Sequence, residues 1–121
     1  MIYTSYFAVL KKIPPEVTPI AICRKAPVWY DGRRYTGLEP SFQTLQDWRA
    51  KHDEAAYKVD FYKGLFMRDP RETAKALYDL AGTEDVVLLC YEKPDAFCHR
   101  HLVAAWFRIS GIPCEEYVFS K

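Results

Sequence analysis

One short segment holds most of the side chains that could do chemistry. Residues 90 to 101, CYEKPDAFCHRH, contain two cysteines, two histidines, an arginine and a glutamate within twelve positions. A thiolate can act as a nucleophile, and an imidazole or a carboxylate can move protons. Thiolates and imidazoles also bind metals, and a guanidinium binds phosphate or carboxylate. The segment is therefore compatible with a reactive thiol, a metal site, an anion site or an ordinary strand-to-helix turn.

The segment lies between a predicted strand and a predicted helix. VVLLCY, residues 86–91, is apolar on both faces, which is typical of a central strand covered on each side. A helix is predicted to begin at Pro94-Asp95, with Asp95 as its N-cap, and to end before Gly111. Because CEEYVF, residues 114–119, is predicted to form the last strand, the sequence indicates a parallel strand-helix-strand unit.

The rest of the chain predicts an α/β domain around that unit. Two strands, 2–7 and 18–23, precede a long loop over 26–40 that has room for a small hairpin. Three amphipathic helices follow, and they are predicted to begin near Ser41, Asp53 and Asp69. We expect a single domain over residues 1–121, a Rossmann-like three-layer fold in which helices cover a sheet of about four mostly parallel strands.

Composition excludes several classes of protein. With 17 basic and 16 acidic residues, the chain has a net charge of only +1, which gives no overall reason to expect nucleic acid or a charged membrane as a partner. No apolar run reaches the roughly 18 residues of a membrane-spanning helix, and the N-terminal residues lack a secretion signal. We therefore expect a cytoplasmic protein with no membrane partner, whose four cysteines are free thiols. The sequence gives no indication of oligomeric state or of a bound cofactor.

Several polar residues are expected at the carboxyl edge of the predicted sheet, where ligands bind in such folds. They follow the first, second and third strands or begin the helix after the third, and they are Thr4, Ser5, Arg24, Glu92, Cys98, His99 and Arg100. With Asp95 as the cap, Cys98 would be the third helical residue, where free N–H groups and the helix dipole stabilise a thiolate or an anion. Arg100 and Arg24 would supply donors for phosphate or carboxylate.

Each of these residues also has a structural interpretation. Cys98 could begin the buried stripe that continues through Leu102 and Trp106, and Glu92 and Arg24 could be solvated charges. A metal site is disfavoured because Cys90 lies in an apolar strand, no CxxC pair is present, and adjacent helical residues 98 and 99 would point about 100° apart. A redox pair of Cys90 and Cys98 is disfavoured as well. The five glycines are too scattered to form a phosphate-binding loop.

The loop between the second strand and the first helix combines basic and aromatic residues. These residues are Lys25, Trp29, Tyr30, Arg33, Arg34 and Tyr35. Such a mixture can hold single-stranded nucleic acid through base stacking and phosphate contacts. The alternative is that the aromatic rings pack onto the core, which is common in a chain with 16% aromatic residues.

The segment LLCYEKPDAFCHRHLVAAW, residues 88–106, resembles the signature of the family called domain of unknown function 488. In that family a strand ending in Leu-Leu-Cys-x-Glu runs into Cys-His-Arg at a helix start. The resemblance implies a compact α/β fold with one cleft. It carries over these positions: Cys90, Glu92, Cys98, His99 and Arg100, and less closely Thr4 and Arg24. The chain departs from the family at Ser5-Tyr6-Phe7, where many members have Ile-Gly-His-Ser after the threonine.

Two functional hypotheses follow from the residues and the resemblance together. In the first, the protein is a thiol-dependent transferase or hydrolase acting on a nucleotide or nucleic acid, with Cys98 as nucleophile, His99 activating it and Glu92 as general acid and base. Arg24 and Arg100 would then bind the phosphate, with Thr4 and Ser5 beside them. In the second, the same cleft binds an anionic ligand and no bond is made or broken.

Overall fold

A computed structural model describes residues 1–119 of the chain, and its core is one five-stranded parallel sheet. The strands are β1 (Ile2–Tyr6), β2 (Val17–Ala21), β3 (Arg33–Arg34), β4 (Asp85–Cys90) and β5 (Cys114–Glu116). The α-helices are α1 (Phe42–Lys51), α2 (Glu54–Phe66), α3 (Pro70–Ala81) and α4 (His99–Ile109), and two 3-10 segments cover Phe7–Lys12 and Thr36–Leu38. The strand order is β3-β2-β4-β1-β5.

The predicted fold class is confirmed, with five strands in place of about four. The additional strand is β3, which has two residues and lies inside the predicted loop at the edge of the sheet. It pairs in parallel with β2, with Ile20 opposite Arg33, so the loop forms an edge strand and not a hairpin. A strand this short has no periodicity that sequence could reveal.

The two faces of the sheet are covered by different kinds of structure. On one face, side chains of α2, α3 and α4 pack against Ile2, Ile20, Val86 and Leu88 in a single hydrophobic cluster. On the other face, the 3-10 segment that begins at Phe7, together with loop residues, covers Val87 and neighbouring strand residues. β4 contacts β1 and β2 along its full length and is apolar on both faces because both faces are covered.

The helices before β4 begin where the sequence predicts. The Ser41 side chain accepts a hydrogen bond from Thr44 N, that of Asp53 from Ala56 N, and that of Asp69 from Arg71 N and Glu72 N. Each cap satisfies N–H groups that have no partner within the helix. Within residues 1–119, none of the helices is long and apolar enough to cross a membrane.

The predicted start of α4 is wrong by several residues. Asp95 does not cap the helix, because the backbone from Lys93 to Ala96 closes a separate turn with a hydrogen bond of 3.0 Å from Ala96 N to Lys93 O. The N-cap is Cys98, whose backbone is extended at φ −155° and ψ 143°. Cys98 is therefore the residue before the helix and not its third residue, and this changes how its side chain is oriented relative to that of His99.

Candidate functional site

A cavity of about 620 Å³ lies at the carboxyl edge of the sheet, beside the ends of β2 and β4. Its lining comes from the loop after β2, from α1 and α2, and from the segment between β4 and α4. The polar and sulfur-containing residues of the lining include Cys23, Arg24, Lys25, Arg49, Tyr57, Cys90, Tyr91, Glu92, Cys98 and His99. Four of the residues predicted for a site, Arg24, Glu92, Cys98 and His99, thus lie on one cavity.

Cys98 forms part of the cavity wall although it is only 5% exposed. The pKa of Cys98 is lowered below its usual range, and the largest cause is a hydrogen bond from the Cys90 thiol. His99 and a backbone N–H group lower this pKa further. Burial acts in the opposite direction but is outweighed. Cys98 is therefore the cysteine of this cavity whose thiolate is most favoured.

Cys90 and His99 surround the Cys98 sulfur. His99 Nδ1 lies 3.5 Å from Cys90 Sγ and 4.0 Å from Cys98 Sγ. On the other side of the ring, His99 Nε2 donates to the carbonyl oxygen of Ile22 at 2.9 Å, since a carbonyl can only accept. The hydrogen bond to Cys98 and burial both raise the pKa of Cys90, so Cys90 is the thiol of the pair that keeps its proton.

Glu92 lies at the rim of this cavity, two residues after β4. Partial burial and the nearby Cys98 raise the pKa of its carboxyl group, while the positive charge of Arg100 acts in the opposite direction. A carboxyl group with a raised pKa retains a proton to higher pH and can donate it. The cavity thus contains a carboxyl group whose pKa is raised and a thiol whose pKa is lowered.

Cations and aromatic rings form another part of the cavity wall. Arg24 lies above the Phe42 ring, with its guanidinium carbon 5.5 Å from the ring centre, and its contact with Glu39 is a loose one of 3.8 Å. Lys25 and Arg49 add two exposed cations. The Trp48 and Phe97 rings lie 4.8 Å apart and form an apolar surface of the same cavity. The wall therefore combines donors for an anion with flat surfaces for a planar group.

Tyr57 contributes a phenol to the same cavity from α2. Its ring packs against Phe97 at 5.0 Å and Trp48 at 5.8 Å. Burial is the largest influence that raises the pKa of its hydroxyl group, and the neighbouring thiols and Glu92 raise it further, so the group stays protonated and can donate a hydrogen bond. The helical spacing of Tyr57, Phe61 and Leu65 predicts that Tyr57 is a core residue. That pattern gives no indication that the Tyr57 hydroxyl group reaches the cavity.

Arg100, Thr4 and Ser5 lie apart from the cavity lining. The Arg100 side chain is fully buried, and its Nε and Nη2 donate to Glu116 Oε1 and Oε2 at 3.2 and 2.9 Å. Thr4 and Ser5 lie inside β1 and not after it, and both are 1% exposed. The Thr4 hydroxyl donates to Glu116 Oε1 at 2.6 Å, whereas Ser5 Oγ has no hydrogen-bond partner within residues 1–119.

The Arg100 network also reaches the loop that carries Glu92. Arg100 Nη1 donates to the Glu92 carbonyl oxygen at 2.5 Å. The same guanidinium is thus bonded to β5 through Glu116 and to the segment between β4 and α4. Sequence reasoning missed Glu116, because a glutamate in a short terminal strand gives no signal that its carboxylate pairs with a residue 16 positions earlier.

The basic and aromatic residues of the loop after β2 contact different parts of the structure. Tyr30 packs on Phe7 with ring centres 5.2 Å apart and donates its hydroxyl hydrogen to Arg33 O, and Tyr35 packs on the helical face of the core. Trp29 alone among the three aromatic residues is more than half exposed. Only Lys25 of this basic group contributes to the cavity lining.

Comparison with known proteins identifies the family. A family model described as "DUF488-N3a: Active DUF488-N3 subclade" matches residues 11–111. The chain belongs to the DUF488 family. Thr4 and Ser5 lie outside the matched residues, whereas Arg24, Glu92, Cys98, His99 and Arg100 lie within them. No curated protein and no solved structure matches this DUF488 chain.

Proposed function

We propose that this DUF488 protein is a thiol-dependent enzyme that acts on a phosphate-bearing substrate, such as a nucleotide, in the cavity at the carboxyl edge of the sheet. One observation carries the proposal: the Cys98 sulfur, Glu92 and three cationic side chains lie around a single cavity that also has an aromatic wall. Anion binding alone needs the cations but gives no reason for a thiol beside a carboxyl group.

In the proposed reaction Cys98 is the nucleophile. Its thiolate forms a bond from Sγ to the electrophilic atom of the substrate, and the bond from that atom to the leaving group breaks with its electron pair. The Glu92 carboxyl group gives its proton to the leaving group. Water then attacks the covalent intermediate, Sγ leaves as the thiolate, and the proton lost by water returns to Glu92. The cycle is balanced without an oxidant or a reductant.

Binding of the substrate is assigned to the part of the cavity wall that carries the cations and aromatic rings. Arg24, Lys25 and Arg49 supply three positive charges for a phosphate group, and Glu92 is the acidic residue of the same cavity lining. The Trp48 and Phe97 rings offer stacking surfaces of the kind that hold nucleobases. The volume of about 620 Å³ is within the ordinary range of small-molecule sites.

Arg100 and Thr4 have a positioning role in this proposal. Arg100 is fully buried and its donors are directed to Glu116 and to the Glu92 backbone. It therefore holds the loop that presents Glu92, and the anion is bound by cations from other elements. Thr4 supports the arrangement through the Glu116 carboxylate.

The test compares the reactivity of the four cysteines and then follows turnover. Brief treatment of the reduced, chelator-treated protein with iodoacetamide, followed by peptide mass spectrometry, should label Cys98 first because it is the thiolate that faces the cavity. A Cys98 that reacts no faster than Cys114 would exclude the nucleophile. Cys114 is a suitable internal reference because it is buried in β5, with a pKa raised to about 12 by burial.

A panel of nucleoside mono-, di- and triphosphates then separates an enzyme from a binding module. Binding is measured by calorimetry and turnover by chromatography, on wild type, Cys98→Ser and the control Cys114→Ser. An enzyme loses turnover but not binding in Cys98→Ser. If wild type binds a nucleotide and converts none of the panel, the cavity is a binding module. If it binds none, the proposed substrate class is wrong.

A further inference from the structure

Three potential metal ligands converge at the inner end of the cavity. Within residues 1–119, Cys90 Sγ, Cys98 Sγ and a ring nitrogen of His99 all lie within 4.8 Å of one another, and all three residues are buried. The nucleophile proposal uses only one of these three atoms directly. In the nucleophile proposal Cys90 and His99 support the Cys98 thiolate, but the mutual distances of the three atoms also suit one shared metal ion.

We propose that Cys90, Cys98 and His99 form a binding site for one Zn²⁺ ion, with the fourth coordination position open to the cavity. The proposal goes beyond the proposed function and does not depend on it. Catalytic zinc sites have three protein ligands and one open position, whereas structural zinc sites are closed by four protein ligands.

The distances fit a tetrahedral ion without rearrangement of the backbone. Bond lengths of about 2.3 Å to sulfur and about 2.05 Å to nitrogen give an S···N separation of about 3.6 Å and an S···S separation of about 3.8 Å at tetrahedral angles. The two S···N separations in the structure are 3.5 and 4.0 Å, and the two sulfurs are no more than 4.8 Å apart. Movements of a few tenths of an ångström to about 1 Å therefore complete the site, which is within the range of a side-chain rotation.

The orientation of His99 is that of a ligand held by a second partner. Its Nε2–H donates to the Ile22 carbonyl oxygen at 2.9 Å, which leaves Nδ1 as the ring nitrogen that would bind a metal. Nδ1 is the nitrogen that faces the two sulfurs. Metal-binding histidines usually donate their other N–H to a carbonyl or carboxylate in this way, which fixes the tautomer before the ion arrives.

The extended backbone of Cys98 makes this arrangement accessible. If Cys98 and His99 were both helical, their side chains would point about 100° apart and could not share an ion. Cys98 is instead the N-cap, with φ −155° and ψ 143°, and only His99 belongs to the helix. The geometric reason for disfavouring a metal therefore does not apply to this chain.

Charge and access also suit the ion. Cys90 would release its proton to solvent as the ion binds, and the two thiolates would then neutralise the two charges of Zn²⁺, so the completed site has no net charge in a buried location. All three ligands line the cavity of about 620 Å³, which supplies an entry path and room for a water molecule at the fourth position. The bound ion would share one lone pair of the Cys98 sulfur and lower its nucleophilicity, so zinc binding should slow the proposed nucleophilic reaction.

The first experiment needs no variant. Co²⁺ is titrated into the reduced wild-type protein, and the absorption spectrum is recorded. Tetrahedral coordination by two thiolates should give intense visible bands and a thiolate-to-cobalt band in the ultraviolet that saturate at one equivalent and disappear when Zn²⁺ is added. A spectrum typical of octahedral Co²⁺ in solution would overturn the proposal.

The second experiment assigns the ligands. Cys90→Ser, Cys98→Ser and His99→Gln should each weaken Co²⁺ binding by at least the roughly 10- to 100-fold that loss of a supporting partner costs at known sites. The control Cys114→Ser should bind as wild type does, because Cys114 is in β5 and outside the cluster. Equal weakening in the control, or unchanged binding in all three test variants, would overturn the assignment.

A third measurement remains informative even if a variant does not fold. One equivalent of Zn²⁺ added to wild type should protect Cys98 from iodoacetamide by roughly tenfold or more. It should leave the labelling of Cys114, which is in β5 and outside the cavity lining, unchanged, and a chelator should reverse the protection. Absence of protection would contradict the proposal. If the cobalt bands form but no nucleotide is converted, the enzyme proposal fails and the metal site stands.

Discussion

Replacing Glu116 with glutamine should test the buried network most directly. Arg100 is fully buried, and Glu116 accepts from Arg100 Nε at 3.2 Å, from Arg100 Nη2 at 2.9 Å and from the Thr4 hydroxyl at 2.6 Å. Glu116→Gln removes the negative charge and directs an amide N–H₂ group towards the guanidinium or towards Thr4. The substitution keeps the size of the side chain, so that lost packing contributes little.

The magnitude follows from the burial of the two partners. Removing one member of a buried ion pair costs about 3–5 kcal/mol, because the remaining charge is left without compensation. The Glu116 side chain is 27% exposed, so that water can partly solvate the Arg100 donors after the change. We therefore expect a loss at the lower end, about 3 kcal/mol. For a domain of 121 residues this is a decrease in Tm of roughly 10 °C.

Urea denaturation followed by circular dichroism measures this loss, with Glu115→Gln as the matched control. Glu115 precedes Glu116 in β5, is exposed, and undergoes the same chemical change. The control should lie within about 0.5 kcal/mol of wild type. The double variant Arg100→Met/Glu116→Gln should be more stable than Glu116→Gln alone, because no bare buried charge remains. Equal stability of Glu116→Gln and Glu115→Gln would refute the argument that this pair is energetically important.

Three further predictions address reactivity, helix capping and binding. In chelator-treated protein, the rate of Cys98 alkylation should change little between pH 6 and 8, because the Cys90 hydrogen bond lowers the pKa of Cys98. The alkylation rate of an ordinary thiol rises by about tenfold per pH unit in this range. A tenfold rise for Cys98 would contradict the prediction. Asp69→Ala removes the helix-cap hydrogen bonds from Arg71 N at 2.8 Å and Glu72 N at 3.3 Å. Urea denaturation should show a free energy of unfolding that is lower by about 1 kcal/mol. The control Asp60→Ala, at an exposed position, should show no such decrease. Arg24→Gln should weaken the binding of any nucleotide that calorimetry detects by about tenfold or more, since a hydrogen bond to a charged group contributes about 1.5–3 kcal/mol. The control Lys58→Gln, on the exposed side of α2, should not weaken binding. Equal effects of the two substitutions would place the anion elsewhere.

The parts of the fold that were predicted correctly have local causes. Ser41, Asp53 and Asp69 cap helices through their own side chains, and each lies next to the apolar periodicity it begins. β4 was recognisable because a strand covered on both faces is a continuous apolar run. The boundary of α4 was missed because Pro94-Asp95 suits a turn as well as a helix start, and only the hydrogen bond from Ala96 N to Lys93 O distinguishes the two.

The parts of the site that were missed depend on contacts between distant residues. Arg49 and Tyr57 reach the cavity from α1 and α2, and no pattern within either helix indicates which end of the sheet it approaches. Glu116 of β5 pairs with Arg100 of α4, and the Ile22 carbonyl that orients His99 is a backbone atom 77 positions away. Sequence reasoning placed Cys98, His99, Glu92 and Arg24 at one edge because the carboxyl ends of parallel strands meet there.

The start of α4 separates two roles that the sequence presents together. Cys98 and His99 face the cavity, whereas Arg100, the next residue, is directed to β5 and donates to Glu116 and the Glu92 backbone. Because Arg100 is fully buried outside the cavity lining and three of its five N–H groups are engaged, we expect an anion in the cavity to be bound by cations from the loop after β2 and from α1. In both proposals the Cys-His-Arg segment therefore divides between a pair that faces the cavity and a residue that holds the loop carrying Glu92.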